Sequence, residues 1–156
     1  MSASFVKFND FVHALATKTH NLNSDSLMIL LTNTVPNAAD TVVDTTTTTC
    51  TVKSTSNALE IAAGNGYTKG GNAAAFSSGN DTTGTYKLIL TSPTAWTATG
   101  GTIGPFEYAV IYNNSSGSTS TRGVIGWWDY GSAVTLQSGE TFTVTLDGTN
   151  GVLTLA

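Results

Sequence analysis

Two histidines, one cysteine, a glycine-rich stretch and an aromatic cluster are the features of this 156-residue chain that have chemistry to offer. His13 and His20 lie seven residues apart and could share a helical face. A metal site needs three or four ligands, and no helix-spaced carboxylate or further histidine completes one. A Ser-His-Asp triad would have to use one of the same two histidines, and no GxSxG elbow occurs. Both histidines are therefore expected on a helix surface. Cys50 stands alone, which excludes an intrachain disulfide and a cysteine metal cluster. Its threonine-rich setting predicts a half-buried strand position, with no cation or helix N-terminus to activate the thiol. Gly64-Asn-Gly66-Tyr-Thr-Lys69-Gly70-Gly71 invites comparison with a phosphate loop, but Lys69 precedes its glycine pair and no helix follows. A tight loop with glycines at positive φ is expected instead.

Trp127-Trp128-Asp129-Tyr130 is the densest aromatic group. On a strand its neighbours point to opposite faces, so one indole is expected in the core and the other outward. An outward Trp beside Tyr130 has two uses, stacking on a sugar or anchoring a protein interface. Glu107, Asp129 and Glu140 are the carboxylates nearby, and a glycosidase pair drawn from them has no second signal behind it. No catalytic residues, no metal ligands and no cofactor are expected, and the chain reads as non-enzymatic.

The elements that must position these residues follow from periodicity. Phe8, Phe11, Val12 and Leu15 fall at i, i+3, i+4 and i+7, one apolar stripe of a short helix over 9–18. Asn9 is placed to cap it, Asp10 suits its first turn and Lys18 its end, while His13 lies on the polar face. After it the pattern is β. Ser26–Thr32 is an apolar run expected to be buried on both faces, and Thr45–Lys53 reads as a solvent-facing strand or a loop. Strands are predicted over Ala73–Ser78, Thr85–Thr91, Phe106–Asn113, Gly123–Tyr130, Ala133–Leu136, Glu140–Leu146 and Val152–Ala156. Turn residues separate them, such as Asn80-Asp81 with Gly84 and Asp147-Gly148 with Asn150-Gly151. Alternation is clearest in Thr141-Phe-Thr-Val-Thr-Leu146. The expected fold is mainly β: one β-sandwich or jelly-roll domain over 1–156, with an N-terminal arm (1–8), the helix (9–18) and a β-rich body (26–156).

Composition narrows the partners. Only 10% of residues are charged, against about 25% in typical soluble domains. Threonine, serine, asparagine and 16 glycines stand in their place. The net charge of -4 and the scatter of Lys7, Lys18, Lys53, Lys69, Lys87 and Arg122 give no basic groove for nucleic acid. The longest apolar run, Leu27–Leu31, is too short to span a membrane, and the start shows no signal peptide; synthesis in a cytoplasm is expected.

An ordered series of segments is also familiar. It comprises Phe5-Val-Lys-Phe-Asn9, Glu60-Ile-Ala-Ala-Gly-Asn-Gly-Tyr-Thr-Lys-Gly-Gly71, Gly84-Thr-Tyr-Lys-Leu88 and Gly104-Pro-Phe-Glu-Tyr-Ala-Val-Ile-Tyr-Asn113. It continues with Gly126-Trp-Trp-Asp-Tyr-Gly131, Gly139-Glu-Thr-Phe-Thr-Val144 and Gly151-Val-Leu-Thr-Leu-Ala156. Together these resemble a small virion structural protein of tailed bacteriophages, a group that includes head decoration (cement) proteins. Thr41–Thr51 and Ser115–Thr121 depart from the pattern. The resemblance implies a virion protein made in the bacterial host and placed on the outer capsid surface. Its implied partner is the major capsid protein, with self-association as a dimer or trimer. An acidic, lysine-poor domain suits that outer position, away from packaged DNA. Phe5, Val6 and Phe8 of the arm, with Trp127, Trp128 and Tyr130, are the candidate contact residues. The arm's plainer reading is a first strand of the domain's own sheet. The rival function is a sugar-binding module of a tail or fibre, stacking a ring on Trp127 or Trp128 with Tyr130.

Overall fold

The computed structural model describes residues 3–156, and the side chains of all of these except 80–82. Met1 and Ser2 of the N-terminal arm lie outside the described residues. In chain order the elements are β1 (Phe5–Lys7), α1 (Asp10–Ala16), β2 (Leu27–Thr32), β3 (Val42–Asp44), β4 (Thr51–Lys53), β5 (Ala58–Leu59) and β6 (Asn72–Ala73). They continue with β7 (Phe76–Thr82), β8 (Thr85–Leu90), β9 (Trp96–Thr97), β10 (Ile103–Asn113), β11 (Arg122–Leu136), β12 (Thr141–Phe142) and β13 (Leu153–Leu155).

Leu27-Met-Ile-Leu-Leu-Thr32 has no turn former and apolar groups on both sides of the pleat, so it must lie in the middle of something. It pairs antiparallel with β10 from Leu27↔Asn113 to Thr32↔Tyr108. The largest sheet runs β5-β4-β3-β11-β10-β2-β6, with β1 added to the β3 side of β11. This sheet closes on itself. Past β5, Glu60 bridges Thr32, Ile61 N–H donates to Leu31 O at 3.0 Å, and Thr32 Oγ1 donates to Leu59 O at 2.6 Å. Strands β2-β10-β11-β3-β4-β5 thus form a small barrel. Its interior holds Leu30, Val43, Cys50, Val52, Ala58, Val110, Tyr112, Val124 and Trp127, with Phe8 alongside.

A second core lies outside the barrel wall. Ile29, Leu31, Ala109, Ile111 and Ile125 face away from the first cluster. They pack with Phe11 of α1, Leu88 and Leu90 of β8, Trp96 of β9, Leu146 and Leu153. The covering layer is the β13-β8-β7 sheet, the β12-β9 pair and the helix. The chain is therefore mainly β with one short helix and sandwich-like layering, as expected; no jelly-roll strand order follows from these pairings. A bulge lets β11 serve both cores. Ile111 pairs with Gly126 and Tyr112 with Val124, which leaves Ile125 as the extra residue. The parity flips there, so Val124 and Trp127 both turn into the barrel while Ile125 and Trp128 turn to the outer core.

Several local expectations need correction. The helix is shorter than 9–18. Lys18 takes φ 62, Thr19 N–H donates to Ala14 O and Lys18 N–H to Leu15 O, which is a Schellman termination. Asn9 makes no side-chain cap, and Val12 is 51% exposed, so the buried stripe is Phe11, Ala14 and part of Leu15. Phe8 precedes the helix and enters the other core. Ala73–Ser78 is divided between two sheets. Gly123–Tyr130 and Ala133–Leu136 are one strand, and of Glu140–Leu146 only Thr141–Phe142 forms a strand.

Candidate functional site

The arm expected at 1–8 is, where described, a strand of the domain's own sheet. Phe5↔Trp128, Val6↔Trp127 and Lys7↔Gly126 are paired. Each indole has a phenylalanine against it: Phe5 sits 5.1 Å from Trp128 and Phe8 4.6 Å from Trp127, both tilted. Phe8 is fully buried and Trp127 is 7% exposed. Both are core residues, so their candidacy as contact residues is withdrawn. Val6 and Tyr130 are exposed, at 38% and 48%, while Phe5 and Trp128 are half-buried.

Tyr130 marks an opening in the sheet. Phe106 pairs with Val134 and Tyr108 with Asp129, so Tyr130–Ala133 stand opposite Glu107 alone. Such wide irregularities re-aim side chains beside binding sites. Here the strands part next to a cleft of about 240 Å³, whose walls include Leu31, Phe106, Glu107, Trp128, Tyr130 and the segment Phe142–Thr145. Tyr130 and Phe106 both meet Phe142 edge-on, at 5.8 and 4.8 Å. The carboxylates do not combine there: Asp129 accepts Gly131 N–H and Glu140 accepts Gln137 N–H, each within its own turn. The cleft offers aromatic edges, one half-buried carboxylate and threonine hydroxyls, which suits contact and hydrogen bonding.

The other chemically rich places are structural fasteners. Glu60, which the sequence did not single out as important, is 4% exposed at the barrel seam. Its Oε1 accepts Tyr67 O–H at 2.7 Å and Gly70 N–H at 2.6 Å, and its Oε2 accepts Cys50 N–H at 2.8 Å. Tyr67 Oη in turn accepts Leu31 N–H at 3.0 Å. Burial first, then the Glu60 charge, pushes the Cys50 thiol up to about 12. The Gly64–Gly71 stretch is the tight loop expected. Gly64 and Tyr67 exchange two 2.9 Å hydrogen bonds around Asn65-Gly66, both at positive φ, the signature of a two-residue hairpin turn. A Cβ on Gly66 would lie 2.0 Å from Thr97 O. Lys69 donates to Thr45 O, so its ammonium is committed to the fold.

His13 is exposed as expected, but His20 is buried, at 5% exposure. Its Nε2 faces Val124 O at 3.3 Å, a carbonyl that can only accept. Nε2 therefore carries the hydrogen, and Nδ1 accepts from Asn113 Nδ2 at 3.0 Å. The Asn113 orientation is fixed because its Oδ1 takes Ser115 and Ser116 N–H while Nδ2 also reaches Asp25. Burial lowers the imidazole pKa against the pull of the Val124 carbonyl and Asp25. A comparable clasp surrounds the fully buried Asp40, which accepts from Asn37, Thr55 and Ser56 backbone N–H and the Ser56 hydroxyl. Burial opposes its charge, and the hydrogen bonds outweigh that, so its carboxyl is held below the usual range.

Among the described residues no group of three or more His, Cys, Asp or Glu could hold a metal ion. Among the same described residues no helix is long and apolar enough to cross a membrane. Comparison with protein-family models, with curated proteins and with solved structures finds no match to this chain.

Proposed function

We propose that this chain is a structural component of a tailed-bacteriophage particle. In this reading it decorates the outer capsid surface and bridges subunits of the major capsid protein. The observation that carries the reading is the series of segments resembling small virion structural proteins, which runs almost the length of the chain. Those segments build the frame: Glu60–Gly71 holds the barrel seam, Gly104–Asn113 supplies most of β10 and Gly126–Gly131 the centre of β11. The two stretches that depart from the resemblance meet each other, since Thr45 N–H and Oγ1 both donate to Thr119 O. The exposed parts of these two stretches, 46–48 and 117–121, thus lie on either side of that contact at the surface, where a common scaffold can meet a particular partner.

The outside supports the same reading. With 10% charged residues, docking strips water from hydroxyl, amide and apolar groups more than from ions, which lowers the desolvation cost of a broad contact. Val6 and Tyr130 remain as exposed anchors from the first set of candidates. The sugar-binding alternative needs an open aromatic face. Tyr130 is 48% exposed with Phe142 against it, whereas both indoles are partly occupied by the chain's own phenylalanines.

The test is to add the purified protein to heads stripped of decoration. Saturable binding and a higher melting temperature of the heads are expected, both weakened in Tyr130→Ala and Val6→Asp. Neither binding nor a thermal shift, or glycan-array binding that disappears in Tyr130→Ala, would overturn the capsid reading. Point variants are the right probe, because removing the arm as a whole would take the fully buried Phe8 out of the barrel core.

A further inference from the structure

The β9–β12 ladder ends abruptly. Glu140 O accepts Ala98 N–H at 2.9 Å and Phe142 is paired with Trp96. In an antiparallel ladder the backbone groups of Thr141 and Thr143 then point to the opposite edge. Among the described residues, none pairs with the backbone of Thr143, Val144 or Thr145. The strand-like alternation nevertheless continues: Thr141, Thr143 and Thr145 are exposed, Phe142 and Val144 half-buried, and Leu146 buried. The cleft runs along Phe142–Thr145. Thr141–Leu146 contains no charge, proline or glycine. Natural edge strands are usually blunted by such residues, and an unblunted edge is a template for another strand.

We propose that this edge is a self-association surface, on which two copies of the chain pair antiparallel about a two-fold axis through Thr143. That register sets Thr141 against Thr145 of the second copy, Thr143 against itself and Phe142 against Val144. Hydroxyl meets hydroxyl, apolar meets apolar, and about six backbone hydrogen bonds form from groups now left to water. A second copy fits better than a foreign strand because the segment is complementary to its own reverse, the requirement of a two-fold interface. The acids that bound the segment are turned away: Glu140 holds Gln137 N–H, and Asp147 holds the backbone N–H groups of Thr149 and Asn150. This inference stands apart from the capsid reading and is tested on the isolated protein.

Sedimentation equilibrium of the chain, of Thr143→Lys, of Thr143→Glu and of their equimolar mixture tests it. Thr143 is exposed and its N–H is unpaired, so each variant should keep the native near-ultraviolet signal of the buried Trp96. The wild type should dimerise, each variant should weaken the dimer by about tenfold or more through like charges facing at the axis, and the mixture should restore it. Hydrogen exchange at the Thr143 and Thr145 amides should slow as concentration rises. A wild type that stays monomeric at about 1 mM, where even weak specific association registers, would overturn the proposal. Variants that dimerise as well as the wild type would overturn it too, by placing the contact elsewhere.

Discussion

Tyr67→Phe isolates the chemistry of the barrel seam, because it deletes one oxygen and leaves the ring in place. That oxygen serves two partners: it donates to Glu60 Oε1 at 2.7 Å and accepts Leu31 N–H at 3.0 Å. Stranding the Leu31 N–H, in a residue with 0% exposure, costs about 1–3 kcal/mol, and losing a hydrogen bond to a carboxylate about 1.5–3. Because the two losses share one site, about 4 kcal/mol is the expected total. At about 2–4 °C per kcal/mol for a chain of this size, the melting temperature should fall by about 8–16 °C. The comparison is Tyr112→Phe, whose hydroxyl makes a single 3.2 Å bond to Gly70 O and should cost about 1 kcal/mol. Urea titration of both variants, with the slope checked against the wild type, reads the difference. If Tyr67→Phe costs no more than Tyr112→Phe, the seam is not held as argued and Glu60 is not its fastener.

Two further outcomes follow from the buried groups. The His20 imidazole is lowered in the folded protein, so as pH drops below about 6.5 the unfolded chain takes up a proton that the folded one refuses, and stability should decline at up to about 1.4 kcal/mol per pH unit. Chemical denaturation between pH 5 and 8 should show that decline flattened in His20→Gln; an equal slope in the variant would exonerate His20. Cys50, buried and pushed up to about 12, should resist a thiol reagent at pH 8 in the native protein and react at once in denaturant; rapid native labelling would contradict its place in the barrel.

Where one periodicity governed a segment, the sequence was readable. Leu27–Thr32 alternates between two cores, and its unbroken apolar character announced burial on both faces. The Asn65-Gly66 turn was legible because its backbone demands those residues. Trp127 and Trp128 do point to opposite sides, but neither is simply outward, because Phe5 and Phe8 come from far away in sequence to cover them. The same long-range contacts decide between the two readings of the arm, in favour of a strand of the domain's own sheet. Val124 and Trp127 share a face only through the bulge at Ile125, which no alternation rule foresees. Glu60 carried no signal either, since one acid among apolar neighbours becomes a fastener only once Cys50, Tyr67 and Gly70 converge on it. Glu140–Leu146 reads as a full strand because the alternation from Thr141 to Leu146 is that of one, and what the structure withholds beyond Phe142 is a neighbour.

A ring of strands carries load differently from an open sheet. Tension applied to any strand of the barrel travels round the whole circumference, and the shortest pairing sets the breaking strength. That pairing is the single bridge between Thr32 and Glu60, while β10 and β11 run together from Ile103↔Leu136 to Asn113↔Gly123. Under repeated stretching the ring would therefore open as a clasp at one known link and keep its long back intact. A clasp of that kind can close again in register, because the Glu60 carboxylate finds the same three donors each time.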